Sequence, residues 1–402
     1  MEIKREYYLQ KLIDRMHNSL IKVIVGLRRS GKSYLLFSIF KNYLISIGID
    51  ESHIIQIILD DETFFSLRNR EKLKKYIDGR IKDSKQYYLL IDEIQYVKNF
   101  EPILIKYMRM PNVDVYVTGS NSKFLSVDID TSLNGKNDSI HIYPLSFNEL
   151  KQVYADKYEA WNDYINYGGL PLTTQIKQRK DKEVYLLNLY KELYLKDILI
   201  RNHIKNTEEM DELTKILASS IGSFTNPNNI VKTVKSIKNK NIKWKTIVRY
   251  ISSLAKAFFI SEVERYDLKG RKYIGANKKY YFEDIGIRNA ILNFKDNKIW
   301  HRLENIIFNE LKYRGFNLNV GIVNHRIINA DKIIDKQLEV DFIAISGNKQ
   351  YAIQVATSIS DDKVLEREIQ PLTKIHNVDA KILLTTDNIP QYKTDEAITV
   401  MN

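Results

Sequence analysis

Cysteine is absent from all 402 residues, which excludes disulfides, thiolate zinc sites and cysteine nucleophiles together. Long apolar runs are missing too. None reaches the roughly 18 residues that a membrane-spanning helix requires. The opening stretch, MEIKREYYLQKL, carries charge where a secretory signal keeps a long apolar segment, so it does not read as one. These absences point to a cytoplasmic chain with no membrane partner. What is present is a globular composition, 44% hydrophobic and 28% charged. The length implies two or three domains rather than one core.

Acidic residues are also in short supply in one place. The formal net charge is +12, and residues 205–280 hold 16 lysines and arginines against 7 acidic residues, an excess of nine. A basic surplus concentrated in under a fifth of the chain suggests a polyanionic partner. The same surplus also serves as a solvated surface that keeps a protein soluble.

From residue 21 short apolar runs alternate with amphipathic stretches: IKVIVGL, HIIQIIL, YYLLIDEI, DVYVTGS and IHIYPL. Such runs, separated by helical patterns like SYLLFSIFKNYLISIG, predict a parallel sheet covered by helices. The first run leads into GLRRSGKS, residues Gly26, Leu27, Arg28, Arg29, Ser30, Gly31, Lys32 and Ser33. This is a phosphate-binding pattern in its required setting, with a strand before it and a helix after it. Gly26 and Gly31 permit backbone angles and a close approach that a side chain would block. Successive N–H groups and the helix N-terminus then cradle phosphates. Lys32 is placed to reach the β- and γ-phosphates, and the Ser33 hydroxyl to ligate magnesium.

The run YYLLIDEIQYV ends in the carboxylates such a loop needs. Asp92 at the strand tip is suited to the magnesium shell, and Glu93 to drawing a proton from an attacking water. The fourth run ends in TGSN. There Ser120 and Asn121 either sense a γ-phosphate or simply build a turn.

The set of GLRRSGKS, LLIDEIQ, VTGSNS, YPLSFNEL and YGGLP resembles AAA+-type P-loop ATPases of bacteria and archaea. These carry a C-terminal domain of uncharacterised function with a restriction-endonuclease-like fold. The resemblance spans nearly the whole chain. It implies ATP binding and hydrolysis with Mg2+, and the roles of Asp92 and Glu93 given above. Members read L-x-G-R where this chain has LNGK at 133–136. Lys136 keeps the charge of a finger directed at a neighbour's phosphate but lacks the planar fork, so an oligomer is conceivable.

After residue 150 the strands stop, and residues 151–225 read as a helical lid with YGGLP at 167–171 as a turn. Residues 226–285 read as a winged helix. A short helical stretch, NNIVKTVKSI, precedes KWKTIVRYISSLAKAF, and two strands joined by the KGRK turn follow. In the second helix Trp244, Ile247, Val248, Ile251, Leu254, Ala255 and Phe258 form the expected buried face. Lys245, Arg249, Ser252, Ser253 and Lys256 form the polar one. The helix either enters a groove of double-stranded DNA, with Lys269, Arg271 and Lys272 on the backbone, or serves as a structural arm.

Residues 290–402 order a helix, strands, a helix and a strand as in the restriction-endonuclease-like fold. Glu304 and Asp341 match two acidic positions of an active member. The third, E-x-K, is replaced by Gln354-Val355-Ala356, and a neutral amide is a poor magnesium ligand. Lys363, on the following helix, could stand in for the lysine only from another direction, and nothing in the spacing favours it. The expectation is an α/β chain: a P-loop parallel sheet over residues 1–150, then lid, winged helix and a nuclease-like α/β domain that docks partners without cutting. An active ATP-dependent nuclease and a nucleotide-gated protein scaffold are the alternatives.

Overall fold

The computed structural model describes residues 3–119, 133, 135–238, 242–267, 272–295, 299–329 and 332–402. The chain divides into two compact units. The first comprises residues 1–161, 169–177 and 254–259, and the second residues 162–168, 178–253 and 260–402.

The first unit holds five parallel strands, four of them on the expected apolar runs and the fifth sharing only Ile140 and His141 with IHIYPL. They are β1 (Ile21–Val25), β2 (Ile54–Ile58), β3 (Tyr87–Asp92), β4 (Val113–Gly119) and β5 (Asn137–His141), in the order β2-β3-β4-β1-β5. Strands β1, β3 and β4 are buried at every position, which is why they read as unbroken apolar runs rather than alternating ones. One exception to apolarity, Lys22 in β1, is fully buried. It pairs with Asp114 of β4, which also accepts the Tyr116 hydroxyl and the His17 N–H, both at 3.0 Å. A buried charge is tolerated only with such partners.

Helix α1 (Glu6–Ile13) precedes the sheet. After β1 the chain enters α2 (Lys32–Tyr34), loosens into a π-helical segment over Leu35–Phe40 and resumes as α3 (Lys41–Ser46). Helices α4 (Arg70–Asp78) and α5 (Glu101–Met108) connect the middle strands. A capping box, Ser146 with Glu149, starts α6 (Phe147–Leu150), followed by α7 (Lys157–Tyr167).

The second unit takes in α8 (Arg179–Asn188), α9 (Lys196–Arg201), α10 (Thr207–Ser219) and α11 (Pro227–Lys238). Helix α12 (Trp244–Lys256) then leads to the first strands of a second sheet. Residues 151–225, read as a lid, are helical and are shared between the two units.

The second sheet is mixed and eight-stranded. Its strands are β6 (Ile260–Asp267), β7 (Lys272–Phe282), β8 (Asn317–Asn329), β9 (Lys332–Ser346), β10 (Lys349–Ala356), β11 (Ala380–Thr385), β12 (Tyr392–Lys393) and β13 (Ile398–Met401). Their order is β12-β13-β11-β10-β9-β8-β6-β7. Helices α13 (Ile285–Ile291), α14 (Ile299–Tyr313) and α15 (Asp362–Thr373) complete the unit. A core of Val340, Ile343, Ala352, Leu372, Leu383, Ile398 and Val400 joins α15 to the sheet.

The two strands read as the wing of a separate winged helix therefore belong to the C-terminal sheet. β6 runs parallel to β8, with Arg265, Tyr266 and Asp267 opposite Val320, Gly321 and Ile322. A strand edge left beside another strand satisfies its amide groups by pairing, and no residue pattern announces which edge it chooses. Strands β12 and β13 also escaped the sequence, because two and four residues are too short to show a period.

Candidate nucleotide-binding site

The loop after β1 is shaped by its two glycines. Gly26 has φ +145° and lies so close to the Ile142 carbonyl that a Cβ would collide with it, while Gly31 has φ +96°. Arg29 also takes a left-handed conformation, at φ 67°, an uncommon state for a residue with a side chain. The loop is held from behind by Arg5, the residue just before α1. Its Nη1 donates to the Ser30 carbonyl at 2.8 Å, and its Nη2 to the Tyr143 carbonyl at 2.8 Å. Its Nε and Nη2 also meet the Glu149 carboxylate at 3.2 and 3.3 Å. Glu149 thus caps α6 and anchors Arg5 with the same carboxylate. Arg5 and Glu149 are both buried, and breaking one partner of such a pair costs about 3–5 kcal/mol.

Inside the loop the Lys32 ammonium is buried and folds back on the carbonyls of Gly26 and Leu27, both at 3.0 Å. Ser30 is fully buried, and its hydroxyl has no hydrogen-bond partner. A buried polar atom of that kind is costly unless a ligand or water completes it.

The carboxylates come from the far side of β4. Strands β1 and β3 both flank β4, so the loop after β1 and the tip of β3 meet across its end. The Ser33 hydroxyl donates to Asp92 Oδ2 at 2.7 Å. Thr118, near the end of β4, fills the gap: its hydroxyl donates to Asp92 Oδ1 and accepts the Glu93 N–H at 3.0 Å. Burial pushes the Asp92 carboxyl above its ordinary range, partly offset by the Thr118 and Ser33 hydrogen bonds. Glu93 is buried in a left-handed conformation, φ 50° and ψ 48°, with its side chain held by the Gln95 amide. Strain of this kind clusters at functional sites.

The donors gathered here suit a nucleotide and Mg2+. Ser33 and Asp92 offer hard oxygen ligands side by side, Lys32 offers a charge, and Ser30 an unsatisfied hydroxyl. Thr118 was not singled out in the sequence. A threonine ending an apolar run was its only signal. Ser120 and Asn121 lie outside the described residues. Lys136 is half-buried, and its carbonyl accepts the Ile21 N–H at 2.9 Å. It therefore stands at the opposite end of β1 from the loop.

Helix α12 sorts its residues differently from the expected faces. Ile247, Ile251, Leu254 and Phe258 are buried, but Trp244 and Val248 are 53% and 39% exposed. Ser253, expected on the polar face, is buried with its hydroxyl on the Arg249 carbonyl at 2.9 Å, and Tyr250 is buried beside Glu209. The outward arc is thus Trp244, Lys245, Val248, Arg249, Ser252 and Lys256. Lys269 and Arg271 lie outside the described residues, and of Lys272 only the backbone is described.

In the C-terminal sheet Glu304, Asp341 and Gln354 come together, all nearly buried. The Gln354 carbonyl accepts the Asp341 N–H at 3.3 Å, its amide donates to Glu368 at 3.1 Å, and Asp341 Oδ2 accepts the Val355 N–H at 2.9 Å. Ala356 is buried, and Lys363 is exposed on α15. Among the described residues no helix is long and apolar enough to cross a membrane.

The profile of a family described as an AAA domain matches residues 18–151, and that of a domain of unknown function matches residues 158–298. An uncharacterised protein of Haemophilus influenzae is 32% identical over 400 residues, covering 98% of this chain and 96% of the relative. An uncharacterised protein of Methanocaldococcus jannaschii is 32% identical over 392 residues, covering 91% and 82%. Among solved structures, the Aeropyrum pernix ORC1 protein in complex with DNA aligns with 72% of this chain and 92% of its own, at 13% identity and a TM-score of 0.30.

Proposed function

The chain belongs to the AAA+ P-loop ATPase family, and from that premise we propose that it binds ATP with Mg2+ in the loop Gly26–Ser33 and hydrolyses it as a nucleotide-driven switch. The observation that carries this reading is the contact of Ser33 with Asp92 at 2.7 Å, beside a buried lysine whose ammonium donates to the loop carbonyls of Gly26 and Leu27. In this reading Lys32 leaves those carbonyls for the β- and γ-phosphates. Ser33 and Asp92 would hold magnesium, which supplies neutralisation of phosphate charge when bound. Glu93 orients a water and takes its proton, and Thr118 keeps Asp92 and the Glu93 backbone in register.

In the same reading the outward face of helix α12 meets duplex DNA. Two observations support that role: the basic surplus of residues 205–280, and the outward arc of α12, which alternates Lys245, Arg249 and Lys256 with Trp244. Basic residues lined up on one helix face in this way neutralise the phosphates of a duplex. Residues 290–402 act as a docking module and do not cut.

The nucleotide assignment is tested by two substitutions in the full chain. Lys32→Ala abolishes tight binding of a fluorescent ATP analogue. Glu93→Gln keeps binding but slows phosphate release by roughly a hundredfold or more, the usual share of a general base. Wild-type hydrolysis by Glu93→Gln removes Glu93 from the mechanism.

A further inference from the structure

The carboxylates of the C-terminal sheet already have a cation, and it does not come from the position where a nuclease keeps its lysine. Lys279 lies on β7, separated from β9 in the sheet order by β6 and β8. Its side chain is 1% exposed. The ammonium donates to Glu304 Oε1 at 2.8 Å, forms a close ion pair with Glu339 and lies 3.8 Å from Asp341 Oδ1. The Tyr281 hydroxyl donates to the same Glu304 oxygen at 2.6 Å, with its ring stacked on Phe308 at 4.4 Å between centroids. On the other side Gly222, at φ +70°, lies against Glu304 Oε2 so closely that a Cβ could not be accommodated. The Phe224 ring faces the ammonium at 5.6 Å.

We propose that the Lys279 ammonium is the resident cation of this cluster, standing where Glu304, Glu339 and Asp341 would otherwise hold a divalent ion. The cluster holds its own cation and needs no metal, with Glu304 and Asp341 buried and Glu339 partly exposed at its edge. Charged carboxylates buried as deeply as Glu304 and Asp341 are costly without a positive charge beside them, and one side chain reaching in from β7 supplies it. Because the ammonium points at carboxylates from three directions, it has no free geometry with which to orient a water.

The test compares the melting temperatures of wild type and Lys279→Met, as full-length chains without nucleotide, with and without millimolar Mn2+. Wild type is expected to ignore Mn2+. Lys279→Met is expected to melt roughly 6 °C or more lower, with Mn2+ restoring at least half of the loss through binding to the folded state. Adding Asp341→Asn to Lys279→Met should remove that response. Stabilisation of wild type by Mn2+, lost on Asp341→Asn, would overturn the proposal, because the carboxylates would then take a metal with the lysine in place. A Lys279→Met protein that melts like wild type, or is weakened yet ignores Mn2+, would overturn it equally. If Lys279→Met does not fold, the double variant Lys279→Met/Glu304→Gln removes one charge of each sign. It should recover soluble protein, and failure to exceed the single variant counts against the assignment.

Discussion

Asp92 shows how the burial of one carboxyl ties the fold to pH. Its carboxyl is pushed above the ordinary aspartate range chiefly by burial, so the folded protein holds a proton there that the unfolded chain has already released. The stability this brings is present at pH values below the ordinary aspartate pKa. It is lost as pH rises through the folded value, and at neutral pH the charged carboxylate is a burden on the fold. Asp92→Asn should therefore melt at or above the wild-type temperature at neutral pH, with a flatter dependence on acid pH, while Mg2+-dependent ATP binding is lost. A melting temperature several degrees below wild type would mean that the contacts to Ser33 and Thr118 outweigh the desolvation of the charge.

Among the elements, α12 makes the sharpest claim. Its inward arc of Ile247, Tyr250, Ile251 and Leu254 is buried, and its outward arc carries Lys245, Arg249 and Lys256. Alanine at those three positions spares the inward arc and raises helix propensity slightly, so the fold is retained. Affinity for duplex DNA should fall, and the slope of log affinity against log salt should flatten by roughly one unit per lost phosphate contact. Fluorescence anisotropy over a salt series reads both. An unchanged slope with weakened binding of another protein assigns the arc, with its exposed Trp244, to a protein interface instead.

For the molecule as a whole, the decisive feature is that the second sheet runs past the point where the sequence divides. Strand β8 pairs with β6 on one side and β9 on the other. A fragment of residues 290–402 loses β6 and β7, and with β7 Lys279, leaving Glu304 and Asp341 without their cation and β8 with an open edge. That fragment should be insoluble or melt without cooperativity, whereas residues 260–402 should give more soluble protein. Soluble yield and the sharpness of the thermal transition measure the difference. Equal behaviour of the two fragments would show that β6 and β7 are an appendage to the sheet rather than part of it.

The amino-acid sequence by itself determined the α/β class, the five strands of the first sheet and the phosphate loop. In these cases the information is contiguous: apolar runs buried on both faces for β1, β3 and β4, glycines at two strained positions of the loop, a helix directly after. The place of Asp92 beside Ser33 was legible for the same reason, since the tip of a neighbouring parallel strand ends next to such a loop. Tertiary structure decided what depends on distant segments meeting. Arg5 braces the loop because α1 and α6 converge on it, and Thr118 joins Asp92 because β4 lies between β1 and β3. The exposure of Trp244 and Val248 depends on how far neighbouring elements extend over α12, which helical spacing does not encode. Above all, Lys279 was invisible among the basic residues around it. Its meaning lies in the order in which strands pair, and pairing partners are chosen by the edges and faces available in the folded sheet rather than by the residues that precede and follow along the chain.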